Sequence, residues 1–219
     1  MNYTYTGDKI IKMDTSDGEE KVEFTYSGDE ISKSIEYINN QIHEINEFFY
    51  TNGKLTSQKV TESSAPIPYN FTINYNYINY NYVKYTRVTG YCTSSTTGIV
   101  TYFSTNYEAF ISNGNLNKII TQSTNGGTVT YTYDDKNSRY KNIRGYAKAL
   151  MFDSLSGENA LNNLTKRTMS QVVNGTTNIG SVSSTYTYNS NNFPTKITTL
   201  STSNNTPSQT SGAILEYNK

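Results

Sequence analysis

One cysteine, one histidine and no tryptophan occur in the 219 residues. Cys92 alone excludes an internal disulfide and any multi-cysteine metal site. Within Thr89-Gly90-Tyr91-Cys92-Thr93 it is expected to behave as a small, partly buried hydrophobe on a strand. His43 cannot join a multi-histidine cluster. No G-x-S-x-G-like nucleophile motif accompanies it, so a structural role is expected in place of triad chemistry. No window approaches the roughly 18 consecutive apolar residues of a membrane-spanning helix. Charged residues are only 16%, with 18 basic against 18 acidic. That balance gives no net pull toward nucleic acid or an anionic membrane. Hydrophobic residues, at 34%, fall below the roughly 45–50% apolar share of an average domain. A thick aliphatic core is excluded, and a thin core or a single curved sheet is expected.

What the chain has in abundance is tyrosine, 21 residues of it. Disordered segments are poor in aromatic and β-branched residues, whereas this chain is rich in Tyr, Thr and Ile. A folded β protein is the reading that survives. Tyrosine is amphipathic and can line a face that is half wet.

The tyrosines recur in a phrase: aromatic-x-aromatic, a Gly or Asn turn, then Ile or Leu, usually with Lys two residues on. It appears at Tyr3-Thr4-Tyr5-Thr6-Gly7-Asp8-Lys9-Ile10-Ile11-Lys12 and at Phe24-Thr25-Tyr26-Ser27-Gly28-Asp29-Glu30-Ile31-Ser32-Lys33. Looser copies include Phe48-Phe49-Tyr50-Thr51-Asn52-Gly53-Lys54-Leu55 and Phe110 to Lys118, and further ones begin at Tyr131-Thr132-Tyr133 and Tyr186-Thr187-Tyr188. Equivalent aromatics lie 21 residues apart from Tyr5 to Tyr26, 24 from Tyr26 to Tyr50 and 23 from Phe110 to Tyr133. One hairpin of two roughly six-residue strands plus its return connection takes that much chain. Repetition at this period predicts an all-β antiparallel meander of similar hairpins, one domain over residues 1–219.

Local signals fill in the rest. Gly7, Gly28 and Asn52-Gly53 mark hairpin turns, and Asp17-Gly18 and Asn125-Gly126 mark further reversals. Phe71 to Tyr77 alternates, then the aromatic phase flips to Tyr80 and Tyr82, which reads as a bulge or a turn. Ala65-Pro66-Ile67-Pro68 is an edge or loop. Glu36 to Phe49 has Ile38, Ile42, Ile45 and Phe49 at helix-like spacing, yet its β-branched content leaves strand open. Tyr146 to Met151 carries better helix formers. It is expected to be a short helical insertion over residues 146–152, packed against one end of the sheet, with Ser156-Gly157-Glu158 opening a second turn. Residues 201–212 read as an exposed loop, and Ala213 to Tyr217 as the last strand.

Chemistry-bearing motifs are few. Asp134-Asp135 follow Tyr133 where the turn of the repeat falls, so turn chemistry accounts for them, not a paired-carboxylate site. Asp14, Asp17, Gly18, Glu19 and Glu20 do not follow the alternate-oxygen spacing of a calcium loop. Gly126-Gly127 lacks the Lys-Ser/Thr of a phosphate loop. No catalytic group, metal ligand set or cofactor is expected. Exposed tyrosines can stack on sugars or partner side chains, although cross-strand Tyr and Thr pairs stabilise sheets without any ligand. The densest group, Tyr75, Tyr77, Tyr80 and Tyr82, is the candidate binding surface.

The Tyr-x-Tyr-x-x-Gly-x-Leu phrase resembles the tyrosine–aspartate (YD) repeats of Rhs-type cell-surface proteins. Here Asp8 and Asp29 follow the turn glycine, and only Tyr133-Asp134 shows the YD order. The stretch Tyr131 to Ile143, followed by Gly145-Tyr146, is similar to the uncharacterised Bacteroidota surface-lipoprotein family with a porin-like β fold, a domain of unknown function. That family usually has Pro-Phe where this chain has Arg139-Tyr140, and Tyr186 to Ile197 looks like its final repeat. The resemblance implies a sheet curling toward a half-barrel and export to the periplasm or cell surface behind a lipoprotein signal. It brings no catalytic residues.

No apolar segment follows Met1, which leaves either a cytosolic protein or one whose first residues were trimmed, and the Asn/Thr/Tyr-rich composition favours trimming; the resemblance then implies an acylated cysteine upstream of residue 1, a role Cys92 cannot serve. The expected function is a non-enzymatic surface or periplasmic lipoprotein that binds or scaffolds. Its partner would be a polysaccharide or a surface protein, with no nucleic acid, and membrane contact only through the upstream anchor. A carbohydrate-active enzyme and a purely structural repeat module are the alternatives.

Overall fold

Turn chemistry sets the spacing of the chain. Asn52 and Gly53 both take positive φ, 51° and 69°, the backbone of the two-residue turn whose twist matches paired strands. Asn39-Asn40 and Asn113-Gly114 do the same, while at Gly7-Asp8 and Gly28-Asp29 only the glycine is positive. The computed structural model describes residues 1–63, 69–92, 100–123, 126–152, 159–173, 175–203 and 206–217.

Between these turns run β1 (Asn2–Thr6), β2 (Lys9–Asp14), β3 (Glu20–Ser27), β4 (Glu30–Ile38), β5 (Gln41–Thr51), β6 (Lys54–Glu62), β7 (Tyr69–Asn79) and β8 (Tyr82–Cys92). There follow β9 (Val100–Ser112), β10 (Asn115–Gln122), β11 (Gly127–Asn137), helix α1 (Tyr146–Leu150), β12 (Asn162–Val173), β13 (Thr176–Tyr188), β14 (Pro194–Ser203) and β15 (Thr206–Ile214). All fifteen strands join one antiparallel sheet whose spatial order is the chain order, with β1 and β15 at its two ends. This is the expected all-β meander, and it is not closed: among the described residues β1 and β15 do not pair.

The structure decides two readings that the sequence left open, at Glu36 to Phe49 and at Tyr80, and corrects several others. Glu36 to Phe49 is strand on both sides of the Asn39-Asn40 turn, because two consecutive positive-φ asparagines reverse the chain where a helix would have to continue. The phase flip at Tyr80 is a turn between β7 and β8. Of residues 201–212, residues 201–203 and 206–212 are not a loop: they lie in β14 and β15, whose backbones pair antiparallel. The last strand accordingly ends at Ile214, and residues 215–217 are irregular. Asp134 and Asp135 lie inside β11, not in a turn, because β11 runs on to Asn137 against β12. Strands reach 13 residues in β9 and β13, about twice the expected length. The expected segments 65–68 and 156–158, residue Asn125 and the Cys92 side chain lie outside the described residues.

A β-bulge accompanies the second aromatic of the phrase. Register shifts fall at Thr4/Tyr5, Thr25/Tyr26, Phe49/Tyr50, Thr132/Tyr133 and Thr187/Tyr188, with another at Glu36/Tyr37. The aromatic stands opposite the apolar residue of the return strand, as Tyr26 opposite Ile31 and Tyr50 opposite Leu55. One extra residue then follows, which places the recurrent Lys two positions on. Where that extra residue is Ser or Thr, its hydroxyl donates back across the ladder. Ser32 reaches the Thr25 carbonyl (3.2 Å), Thr56 that of Phe49 (3.1 Å), Thr165 that of Thr132 (3.0 Å) and Thr195 that of Thr187 (3.2 Å).

A bulge disrupts the ladder locally, and a buried carbonyl left unpaired is costly. The tyrosines of the following hairpin meet that cost. The Tyr50 hydroxyl donates to the Ile31 carbonyl (2.9 Å), Tyr133 to Leu116 (2.7 Å), Tyr186 to Leu164 (2.6 Å) and Tyr217 to Pro194 (2.8 Å). The apolar residues that offer these carbonyls are buried, Ile31 completely. Tyr50, Tyr186 and Tyr217 thus each satisfy a carbonyl at a bulge.

The chain divides into two compact units, Met1–Tyr77 with Lys84–Asn106 and Ile143–Ala149, and Ile78–Val83 with Tyr107–Asn142 and Leu150–Lys219. In the first, Ile10, Phe24, Ile31, Phe48, Leu55 and Val60 form the buried face. The opposite face is water-adapted: Thr25, Lys33, Glu47, Lys59 and Thr72 stand in one row across five strands. The segment around α1 seats on the first two hairpin turns. Tyr146 packs on Phe24 with ring centroids 6.1 Å apart. The Arg144 amide donates to the Asp8 carbonyl, and its guanidinium donates to Asp8 (2.6 Å) and Asp29 (2.9 Å). Gly145, at φ +73°, lies so close that a Cβ would stand 2.8 Å from the Asp29 carbonyl oxygen. In the second unit, Leu116, Ile119, Val129, Tyr131 and Leu164 supply the buried face.

Candidate functional site

The four candidate tyrosines have different environments. Tyr75 is buried, 7% exposed, with its hydroxyl donating to Gln58 Oε1 (3.1 Å) and its ring against Tyr85. It closes a polar chain in the first unit: the Gln58 amide donates to Asn46 (2.8 Å), and Asn46 donates to Glu44 (2.7 Å). Tyr77 is half-buried beneath the Lys54 ammonium, and burial pushes its phenol up to about 12. Tyr80 sits in the β7–β8 turn, 78% exposed. Tyr82 is half-buried and stacks on Phe110, centroids 5.0 Å apart. Tyr75 and Tyr77 belong to the first compact unit, Tyr80 and Tyr82 to the second. Of the four rings, only Tyr80 is presented openly to solvent.

The carboxylates gather where register puts them. Asp134 Oδ1 accepts from the Lys136 amide (3.0 Å) and the Asn163 amide (3.1 Å), and its Oδ2 accepts from the Asn163 side chain (3.1 Å) and from the Tyr188 hydroxyl. Burial, then Asp134 itself, raises the Tyr188 phenol above its ordinary range. Asp135 instead points to solvent beside Lys136. Asp134 is a structural anchor of the β11–β12 pair. In the first unit Glu36 stands opposite Glu44, and Glu44 opposite Glu62. Partial burial, with Glu44 and Glu20 adding to it against His43, holds the Glu36 carboxyl above the usual range. Among the described residues no group of three or more His, Cys, Asp or Glu could hold a metal ion.

A feature missed in the sequence lies on β12–β15, in the second unit. Arg167, Val182 and Ser201 stand opposite one another on successive strands, and Met169, Gly180 and Ser203 form the next row. Gly180 has no side chain between its neighbours, and the gap opens a depression of about 210 Å³ that Gln209 also lines. A Cβ at Gly180 would meet only the Thr202 carbonyl at 3.7 Å, so backbone crowding does not require glycine here. An isolated glycine inside a strand pattern was the available signal. The depression combines a cation, hydroxyls and an amide with a small apolar floor from Met169 and Val182. Its walls can donate, accept and make apolar contact, and among the described residues no carboxylate lines it.

The solved structures similar to this chain include a porin-like protein from Bacteroides vulgatus. The two are alike in fold, with a TM-score of 0.57 and 16% identity over 100% of this chain and 94% of that one. No protein-family model matches the sequence, and no curated protein is similar to it in sequence. The porin-like fold expected from the Tyr131 to Ile143 phrase is thus found in the tertiary structure.

Proposed function

We propose that this chain is a non-enzymatic binding protein of the bacterial outer envelope, held there by a lipid anchor upstream of residue 1, and that it takes a polysaccharide on the β12–β15 depression. The observation that carries the reading is the gap at Gly180, framed by Ser201, Ser203, Gln209 and Arg167 over Met169 and Val182. A sugar ring offers both a C–H face and a rim of hydroxyls, and these walls match both. The porin-like fold of the Bacteroides vulgatus protein supports an envelope setting. A lipid-facing sheet would need an apolar band on alternate residues, and Lys33, Glu47 and Lys59 in one row speak for water on that face of the first unit.

Enzymatic cleavage of a glycoside would need two carboxyls flanking the bond. The binding reading is preferred for the depression because no carboxylate among the described residues lines it. A glycan array with the wild-type chain and with Gly180→Leu tests the proposal. Leucine fills the depression without crowding the backbone, so array binding by the wild type should be lost in the variant. Equal binding by both, or none by either, would overturn it.

A further inference from the structure

Four tyrosines occupy one place in the repeat. Tyr50, Tyr133, Tyr186 and Tyr217 each lie three residues past the partner of a lysine, in the pairs Lys33–Glu47, Lys118–Thr130, Lys166–Ser183 and Lys196–Ile214. Each hydroxyl donates to the carbonyl two positions before that lysine, at Ile31, Leu116, Leu164 and Pro194. On the other edge of their strands the first three face a return strand. Leu55 stands opposite Tyr50, Leu164 opposite Tyr133 and Ile197 opposite Tyr186. In all three a threonine follows the aliphatic residue, as Leu55-Thr56, Leu164-Thr165 and Ile197-Thr198. Tyr217 has the same seat against β14, yet among the described residues no strand pairs with the outer edge of β15. β15 therefore has the place of a hairpin's first strand, with that edge open.

The open edge is fit for pairing. The Leu215 amide donates to the Thr195 carbonyl (2.9 Å). By alternation along the register, the amides of Ala213, Ser211 and Gln209 face β14, and those of Ile214, Gly212 and Thr210 face outward. Residues 208–214 are all exposed. Charged side chains commonly guard an exposed edge, but β15 carries none. Pro207, which has no amide hydrogen, lies at the end of β15 far from Tyr217.

We infer that this edge receives an extended segment of another polypeptide, which pairs antiparallel with β15 and sets a Leu-Thr or Ile-Thr step opposite Tyr217. Main-chain hydrogen bonds supply affinity in such strand addition, and alternate side chains supply selectivity. The occupant's chemistry is that of β6, β12 and β14, which fill the equivalent edges. A second copy of this chain does not match it. The other end strand, β1, holds neither Leu nor Ile, and the one in β15, Ile214, is its last residue and precedes Leu215. The inference does not rest on the polysaccharide reading.

A synthetic peptide with the β6 sequence, Lys54–Glu62, tests it in trans on the 219-residue chain. Labelled peptide should bind by fluorescence anisotropy, and amide exchange should slow severalfold at Gly212 and Ile214 but not at Ser211 and Ala213. The peptide with Leu55→Asp should bind about tenfold more weakly or worse, the worth of burying one leucine side chain. Ile214→Pro in the protein removes an outward amide and keeps the ladder to β14, so peptide binding should be lost. Circular dichroism and thermal melting check that this variant is folded; if it is not, the two peptides on the wild type decide alone. No binding, equal affinity for both peptides, or binding without slowed exchange at Gly212 and Ile214 overturns the inference. A wild-type chain that is dimeric by gel filtration, with those two amides already protected, puts a second copy on the edge and overturns it too.

Discussion

The Tyr50 hydroxyl donates to the Ile31 carbonyl at 2.9 Å, reaching from one hairpin to the residue opposite the bulge of the hairpin before it. The same reach recurs from Tyr133 to Leu116 and from Tyr186 to Leu164. Tyr50→Phe keeps the ring and removes only the donor. It should cost about 1 kcal/mol, rising toward about 3 if no water reaches the carbonyl. Urea denaturation should show this as a lower midpoint with unchanged slope. No change in midpoint would mean that the bulge carbonyl is satisfied otherwise.

Arg144 ties the α1 segment to two turns distant in sequence. The Arg144 hydrogen bond, more than its charge, holds the Asp8 carboxyl below the usual carboxylate range. A depressed carboxylate pKa stabilises above its unfolded value, and the contribution is lost as pH falls through the folded one. Amide exchange across residues 143–149 should therefore quicken severalfold as pH drops below about 4, after correction for intrinsic rates. Arg144→Met should show that faster exchange already at neutral pH. Identical exchange in the two proteins at both pH values would remove the clamp.

Glu36 behaves in the opposite sense. Its folded pKa is raised by burial first and by Glu44 and Glu20 next. The associated stability is full below the unfolded pKa and is lost as pH rises through the folded one. Glu36→Gln should stabilise the chain at pH 7 by about 0.5 kcal/mol, the scale of like charges placed directly opposite. It should also flatten the stability profile just above pH 4.5. Melting temperatures across that interval test both expectations.

The tyrosines of the β7–β8 hairpin should separate cleanly. Tyr75→Ala empties a buried site and unbonds Gln58, a loss of about 3–5 kcal/mol. Tyr80→Ala removes a turn side chain that is 78% exposed and should change stability by less than about 0.5 kcal/mol. Comparable losses at the two positions in denaturant titrations would contradict their placement.

Asp134 and Asp135 give the sharpest test of register. Asp134→Ala strips acceptors from Asn163, Lys136 and Tyr188 and should cost about 1.5–3 kcal/mol. Asp135→Ala, on an exposed side chain, should cost almost nothing. Equal effects would return both residues to a turn.

Much of the fold was legible because its signals are local. Alternation at period two and a positive φ at Asn or Gly need only neighbouring residues, so the hairpins could be placed from Tyr26-Ser27-Gly28 or Asn52-Gly53 directly. The Asn39-Asn40 turn was readable in principle, but the Ile38, Ile42, Ile45 and Phe49 spacing competed with it. The candidate site was far less legible. Tyr75 and Tyr80 look alike in sequence, and only packing makes one a core residue and the other a turn tip. The Gly180 depression exists because three neighbouring strands bring Met169 and Ser203 to its two sides.

By itself the sequence determined an antiparallel meander of short-turned hairpins with a thin, tyrosine-rich core, because turn backbone and strand alternation are properties of adjacent residues. Tertiary structure decided which carbonyls Tyr50, Tyr133, Tyr186 and Tyr217 reach, that Asp8 and Asp29 meet Arg144, that Asp134 is an anchor, and that Arg167 borders an opening. Each of these depends on strand register. A one-residue slip turns a side chain to the other face of the sheet, and register is set by contacts tens of residues away in the chain.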